Sequence, residues 1–206
     1  MPSRYGARIV TDAAVRSLWT WFEAHADDLE SMLTGAGTHD ALCAALTARV
    51  HTVHPRMSWE IGPESESGGH FFAFGPSGDP SLLALARRSV ACAPEIAGWT
   101  FRSARPPKAW RERVVVLPLE GARRRVSFDE WRFVARTRAD GVIEITLYGH
   151  ELADLSQPSR QVLGWLLLDA ELGEEVTSSR PIELDVEPLN TGVVARPIAE
   201  LRAIDT

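Results

Sequence analysis

The feature that most constrains this chain is a change of hydrophobic period at Pro55. Before it, Val15, Leu18, Trp19, Phe22, Ala26, Leu29 and Leu33 fall three and four residues apart, the spacing of one buried helical stripe. Leu42, Ala45, Leu46, Val50 and Val53 repeat that spacing. Thr11 is placed to cap the first helix, Gly35 and Gly37 to end it, and Pro55 to stop the second, so residues 11–54 read as a helical hairpin. After Pro55 the period becomes two: Met57, Trp59 and Ile61 alternate with Ser58 and Glu60, and His70–Phe74 is again strand-like.

Punctuation supplies the rest. Asp79-Pro80 is a strong helix start, because proline at the first helical position loses no bond and the carboxylate accepts from orphan amides. Leu82, Leu85, Ala86, Ser89, Val90 and Ala93 form the face of that helix, which ends by Pro94. Trp99–Arg105 reads as a strand leaving through Pro106-Pro107, and Val114–Leu119 as another. Trp131–Arg138 and Val142–Tyr148 are strands, Pro158–Leu172 is a helix closed by Gly173, Ile182–Val186 is a strand, and Val193–Ile198 is a candidate last one. The second half thus repeats the order of the first at a displacement of roughly 73 to 82 residues.

The expected fold is α+β: an N-terminal helical hairpin followed by two ββαβ-like units forming one or two mainly antiparallel sheets. The expected division is a hairpin over 1–55 packed on a first unit over 56–122, then a second unit over 123–206, all in one globule.

The register of the later hairpin can be argued closely. With Ala139-Asp140-Gly141 as a three-residue loop and Gly141 left-handed, Arg132, Val134, Arg136 and Arg138 face Tyr148, Thr146, Glu144 and Val142. Phe133, Ala135 and Thr137 then face Leu147, Ile145 and Ile143, so one sheet face is apolar and the other polar. A two-residue loop would mix the arginines with the isoleucines.

Composition bounds the function classes. At 206 residues, 45% hydrophobic and 24% charged, the chain has ordinary globular usage, and its size suffices for a core without disulfide staples. The longest apolar run, Val162–Leu168, is interrupted by Gly164 and far shorter than the ~20 residues of a bilayer span. The N-terminus shows no secretory pattern, and Cys43 and Cys92 form no CxxC pair, so reduced thiols in a cytoplasm are expected. No Walker loop, GxGxxG, HExxH or GxSxG occurs, and no cofactor is implied.

Several strings carry a family likeness: Trp59-Glu60-Ile61-Gly62-Pro63, Ser77-Gly78-Asp79, Ala93-Pro94-Glu95-Ile96-Ala97-Gly98-Trp99-Thr100-Phe101, Arg105-Pro106-Pro107 and Leu168-Asp169-Ala170-Glu171-Leu172-Gly173-Glu174. With them the middle and late parts of the chain resemble an uncharacterised family of bacterial soluble proteins, a domain of unknown function. The resemblance implies a bacterial α+β protein and attaches no activity, cofactor or catalytic residue.

Charge is the strongest asymmetry. Between Arg102 and Arg138 stand eleven basic residues (Arg102, Arg105, Lys108, Arg111, Arg113, Arg123, Arg124, Arg125, Arg132, Arg136 and Arg138) against Glu112, Glu120, Asp129 and Glu130. This local net of +7 leaves −13 on the remainder of a chain whose total is −6. Arginine forks suit carboxylates, whether a partner's or the protein's own. The candidate partner-binding set is Arg102, Arg105, Lys108, Trp110, Arg132, Arg136, Arg138 and Tyr148, facing an acidic protein in an inhibitor-like or immunity-like role. Nucleic acid is disfavoured, because a single tyrosine on the polar face offers too little stacking and the pI is near 5.5.

The rivals are thinner. His51, His54 and His70 match a metal-ligand set only by spacing, and histidines in a last helical turn suit the helix dipole. Glu60, His70 and the turn Ser77–Asp79 outline the alternative, a small hydrolase or metal-dependent enzyme. Asp169, Glu171, Glu174 and Glu175 read better as internal partners for the basic centre than as acid/base catalysts. Of the tryptophans, Trp19, Trp59, Trp99 and Trp165 have core positions, whereas Trp21 and Trp110 stand off the apolar stripes as interface candidates.

Overall fold

A computed structural model describes residues 12–35, 39–64, 68–110, 112–190 and 192–204. The expected roles of Thr11, Gly37 and Arg111 fall outside these residues. The class is α+β, as the change of period requires. The chain divides into two compact units, one up to Arg105 and one from Pro106. The division does not fall between 122 and 123, because the segment after 122 is a strand that pairs back onto Val114–Leu119.

In the first unit, α1 (Asp12–Ala24), α2 (Ala26–Thr34) and α3 (Asp40–Val53) precede β1 (Ser58–Pro63), β2 (His70–Gly75), α4 (Pro80–Val90) and β3 (Trp99–Arg102). The first helix is not continuous through Leu33. It breaks at His25, whose ring stacks on Trp21 at 4.3 Å and whose Nδ1 lies 2.8 Å from the Trp21 carbonyl. The apolar stripe survives the break, with Leu18, Phe22, Ala26 and Leu29 all buried in one core. α3 stops at Val53 because His54 is extended, as the residue before a proline prefers to be.

β1 pairs antiparallel with β2, and β3 returns parallel to β2 after α4. Asp79 caps α4, accepting from the amides of Ser81 at 2.9 Å and Leu82 at 3.4 Å. Phe72, Phe74, Trp99 and Phe101 meet Trp19 and Phe22 largely edge to face, and the Trp19 indole donates to the Ser89 carbonyl at 2.8 Å. β3 ends at Arg102, short of the expected Arg105.

The second unit opens with β4 (Val114–Leu119) and β5 (Ala122–Ser127), a hairpin forming a sheet of its own. Its turn, Glu120-Gly121, has φ of 51° and 76° at the two residues, the left-handed pair of a tight hairpin loop. Then come β6 (Arg132–Thr137), β7 (Ile143–Gly149), α5 (Gln157–Leu172), α6 (Glu174–Ser179), β8 (Ile182–Pro188) and β9 (Arg196–Pro197), with strand order β8-β7-β6-β9. The expected last strand shrinks to two residues and passes into a 3-10 turn, Ile198–Ala203.

The β6–β7 register agrees with the three-residue loop at every pair from Arg132 opposite Tyr148 to Thr137 opposite Ile143, and Gly141 has φ of 84°. β8 runs parallel to β7. α5 crosses close to the sheet at Gly164, where a Cβ would stand 2.4 Å from Val186 Cγ2. The two ββαβ repeats therefore share a topology, an antiparallel hairpin, a helix, and a third strand parallel to the second. The described residues hold three sheets, not one or two.

Candidate interaction surface

Alternation along β6, β7 and β8 sends Phe133, Ile145, Leu147 and Val186 into the core beneath α5 and leaves the other face open. Cross-strand rows on that face follow from the register: Arg132, Tyr148 and Glu187; Val134, Thr146 and Asp185; Arg136, Glu144 and Glu183. Positive side chains thus stand along β6 and negative ones along β8. Val134, at 38% exposure, is the apolar residue among them.

At the hairpin end the charges neutralise one another. Arg136 is ion-paired to Glu144, and Arg138 reaches Asp140 at 2.5 Å, Glu183 at 3.0 Å and Glu144 at 3.6 Å. The bond to Asp140, followed by its negative charge, raises the Arg138 pKa. Asp140 is lowered chiefly by accepting from the Val142 amide. At the other end Arg132 donates to the Ala195 carbonyl at 3.2 Å and has no carboxylate partner among the described residues. Asp185 and Glu187 have no cationic partner among them either.

The other members of the expected set lie elsewhere. Arg102 and Arg105 belong to the first unit, where Arg102 pairs with Glu64 at 2.7 Å and Arg105 with Glu60 at 3.6 Å and Ser58 at 2.6 Å. The Lys108 amide donates to the Ala170 carbonyl, and its own carbonyl accepts from Arg202. Trp110 is half-buried with its ring edge-on to Phe128 at 6.4 Å, so it is not the exposed anchor the sequence suggests.

Among the remaining basic residues, Arg113 pairs with Glu171, Arg124 with Asp154 and Arg125 with Glu112. Among the described residues a single unneutralised basic wall is therefore not assembled. Arg123 and Arg132 are the described arginines of the central run without a carboxylate.

Glu171 shows what the acidic cluster does. Its side chain is fully buried, held by Arg113 at 2.7 Å and Arg202 at 2.8 Å, which ties the segment before β4 and the C-terminal 3-10 turn to the end of α5. Asp169 accepts from the Thr177 hydroxyl at 2.5 Å. Both are internal partners.

The register separates the rival catalytic residues. Glu60 stands opposite Ala73 and shares its face, whereas His70 shares the face of Phe72 and Phe74, so the two side chains leave the sheet on opposite sides. Asp79 is occupied as a cap and by Arg56. His54 Nδ1 accepts from the Arg56 amide, His70 packs on Trp99, and among the described residues no three His, Cys, Asp or Glu side chains gather to hold a metal ion.

A shallow cleft of about 350 Å3 is lined by Ser127, Asp129, Glu130, Trp131 and His150. Ser127 meets Asp129 there at 3.4 Å without a bond to His150, so no nucleophile and base are paired.

Sequence reasoning missed Trp165. It lies on α5 and is 36% exposed, and Val162, one turn earlier, is 52% exposed. The signal was the phase of α5: Leu163, Gly164, Leu167 and Leu168 take the buried arc, which turns 162 and 165 outward. No family model, curated protein or solved structure matches the chain.

Proposed function

We propose that this chain is a non-enzymatic interaction protein, of inhibitor-like or immunity-like kind, that binds through the open face of its four-stranded sheet. The observation that carries the reading is the unneutralised end of that face, where among the described residues Arg132 has no carboxylate, Asp185 and Glu187 have no cation, and Val134 is exposed beside them. Arg132 and Tyr148 suit the acidic groups of a partner, while the β8 carboxylates ask for basic ones. The partner is thus a protein surface bearing both signs rather than a uniformly acidic one. The enzyme reading has less support, because Glu60 and His70 project from opposite faces of their sheet.

The test is selection from a random peptide library on the immobilised full chain. Enriched sequences should lose at least tenfold in affinity when Arg132→Glu or Asp185→Lys is introduced, and keep it with the charge-matched control Arg16→Glu in the other unit. Binders indifferent to both changes, or no enrichment at all, would contradict the surface.

A further inference from the structure

Resting on that reading but naming the partner's form, we infer that the free edge of β8 receives an extended segment in which basic and apolar residues alternate, added as a fifth strand beside α5. β8 is the outer strand of its sheet. Its hydrogen-bond phase is fixed at both ends, by the Ile143 amide donating to the Pro181 carbonyl and the Leu189 amide donating to the Gly149 carbonyl. In a parallel ladder this phase turns the backbone of Glu183, Asp185 and Glu187 toward β7, and that of Ile182, Leu184 and Val186 outward.

The Leu184 carbonyl confirms the phase, because it accepts from Gln161 Nε2 of α5 at 3.1 Å. That carboxamide stands where the amide of an added strand would stand. An incoming strand exchanges one donor for another at Leu184 and gains the outward groups of Ile182 and Val186.

Side chains decide what kind of strand fits. One face of β8 presents Glu183, Asp185 and Glu187, all exposed, and only Glu183 has a described ion-pair partner, Arg138. Lysines or arginines at alternate positions of the added strand would lie across from them. On the other face Ile182 and Leu184 are half-buried. Trp165 follows Gln161 by one helical turn and so stands on the flank of α5 that faces this edge, with Val162 beside it. These offer apolar contact to the intervening residues, the arrangement by which sheet edges capture peptides. A second copy of β8 is the wrong occupant, since it would set carboxylate opposite carboxylate.

The probe is a fluorescein-labelled peptide of alternating lysine and valine, nine residues long, titrated into the full chain. Controls are a scrambled peptide of equal composition and two versions N-methylated at every valine or at every lysine. The alternating peptide should bind at least tenfold more tightly than the scrambled one, and one methylated version, not both, should lose that advantage. Asp185→Lys with Glu187→Lys, and separately Trp165→Ala, should each weaken binding at least fivefold, while amide resonances of Ile182, Leu184 and Val186 shift.

Equal binding by the scrambled peptide, indifference to both methylation patterns, or no binding at all overturns the edge site. Binding that Arg132→Glu abolishes but Trp165→Ala leaves intact overturns the edge site too, while upholding the face. Failure of the library selection together with success here would discard the face and retain the edge.

Discussion

The two ββαβ repeats share their strand order and directions but differ in what their sheets do with the second face. In the first unit β2 is buried at five of its six positions. One face lies under the aromatic cluster, and the other, carrying Phe71, Ala73 and Gly75, also carries the ion pairs Arg102–Glu64 and Arg105–Glu60. Arg105 lies so close that a Cβ on Gly75 would come within 2.6 Å of its guanidinium, and Arg102 pairs with Glu64 above the same face. In the second unit β7 alternates buried and half-buried along its whole length, and its outer face is open. One topology thus yields a sheet whose second strand is buried on both faces and a sheet with one face open. The difference lies in whether the arginines cover apolar surface or stand in water.

That contrast can be broken by unfolding measurements. Phe71→Ala removes a buried ring from the second face of the first sheet, where it lies over Gly62, and should cost about 3–5 kcal/mol in urea denaturation. Val134→Ala, on the open face, should stay within about 0.5 kcal/mol of the parent. Similar losses for the two would mean that the second sheet's outer face is as structural as the first.

Arginines sharpen the same point at smaller scale. Arg105→Ala withdraws a side chain that covers Gly75 and meets Ser58 and Glu60, and should cost about 1–2 kcal/mol through lost packing as well as lost charge. Arg136→Ala breaks an exposed pair with Glu144 and should cost no more than about 0.5 kcal/mol. An Arg136 effect equal to that of Arg105 would erase the distinction between covering and solvated arginines.

Much of this architecture is legible because it rests on local chemistry. Asp79-Pro80, Gly173 and the parity of Phe133, Ile145 and Leu147 set helix ends and register without tertiary information. β5 escapes because Arg123, Arg124 and Arg125 look like a solvated run. They form a strand since the Glu120-Gly121 turn folds them back on β4, with Val126 and not the arginines supplying the core contact. α6 escapes for a related reason: Glu174 and Ser178 are buried polar residues, and polar composition hides a buried helix.

The site is less legible than the fold. Charge counting along the chain finds where arginines are, but pairing is three-dimensional. Glu171 is legible as a partner of the basic centre, but Glu183 lies far along the chain from the Arg138 it holds, so no linear count could subtract it. Trp165 escapes because a run of apolar residues conceals which arc of the helix faces out.

A pH-dependent effect concerns how the two crossover helices begin. α4 is capped by Asp79 from its own chain end. α5 has Ser156 as its cap, and Glu120 reaches over from the β4–β5 turn to accept from the Ser156 amide at 3.0 Å. Hydrogen bonds to Ser81 hold the Asp79 carboxyl below its ordinary value, and those from the Ser156 and Ser159 hydroxyls lower Glu120 to about 2. Both groups are more acidic folded than unfolded, so their contribution is complete above the unfolded values and fades as pH falls through the folded ones. In the double variant Asp79→Asn with Glu120→Gln, the loss of stability between pH 5 and pH 2 should be smaller than in the parent, though not abolished, since Asp140 and Asp154 are lowered too. Asparagine remains a good cap, so stability at pH 7 should change little, whereas Asp79→Ala should cost about 1 kcal/mol there. An unchanged pH dependence in the double variant would show that neither helix start draws on carboxylate charge, and that the two crossovers differ only in the sheets they cover.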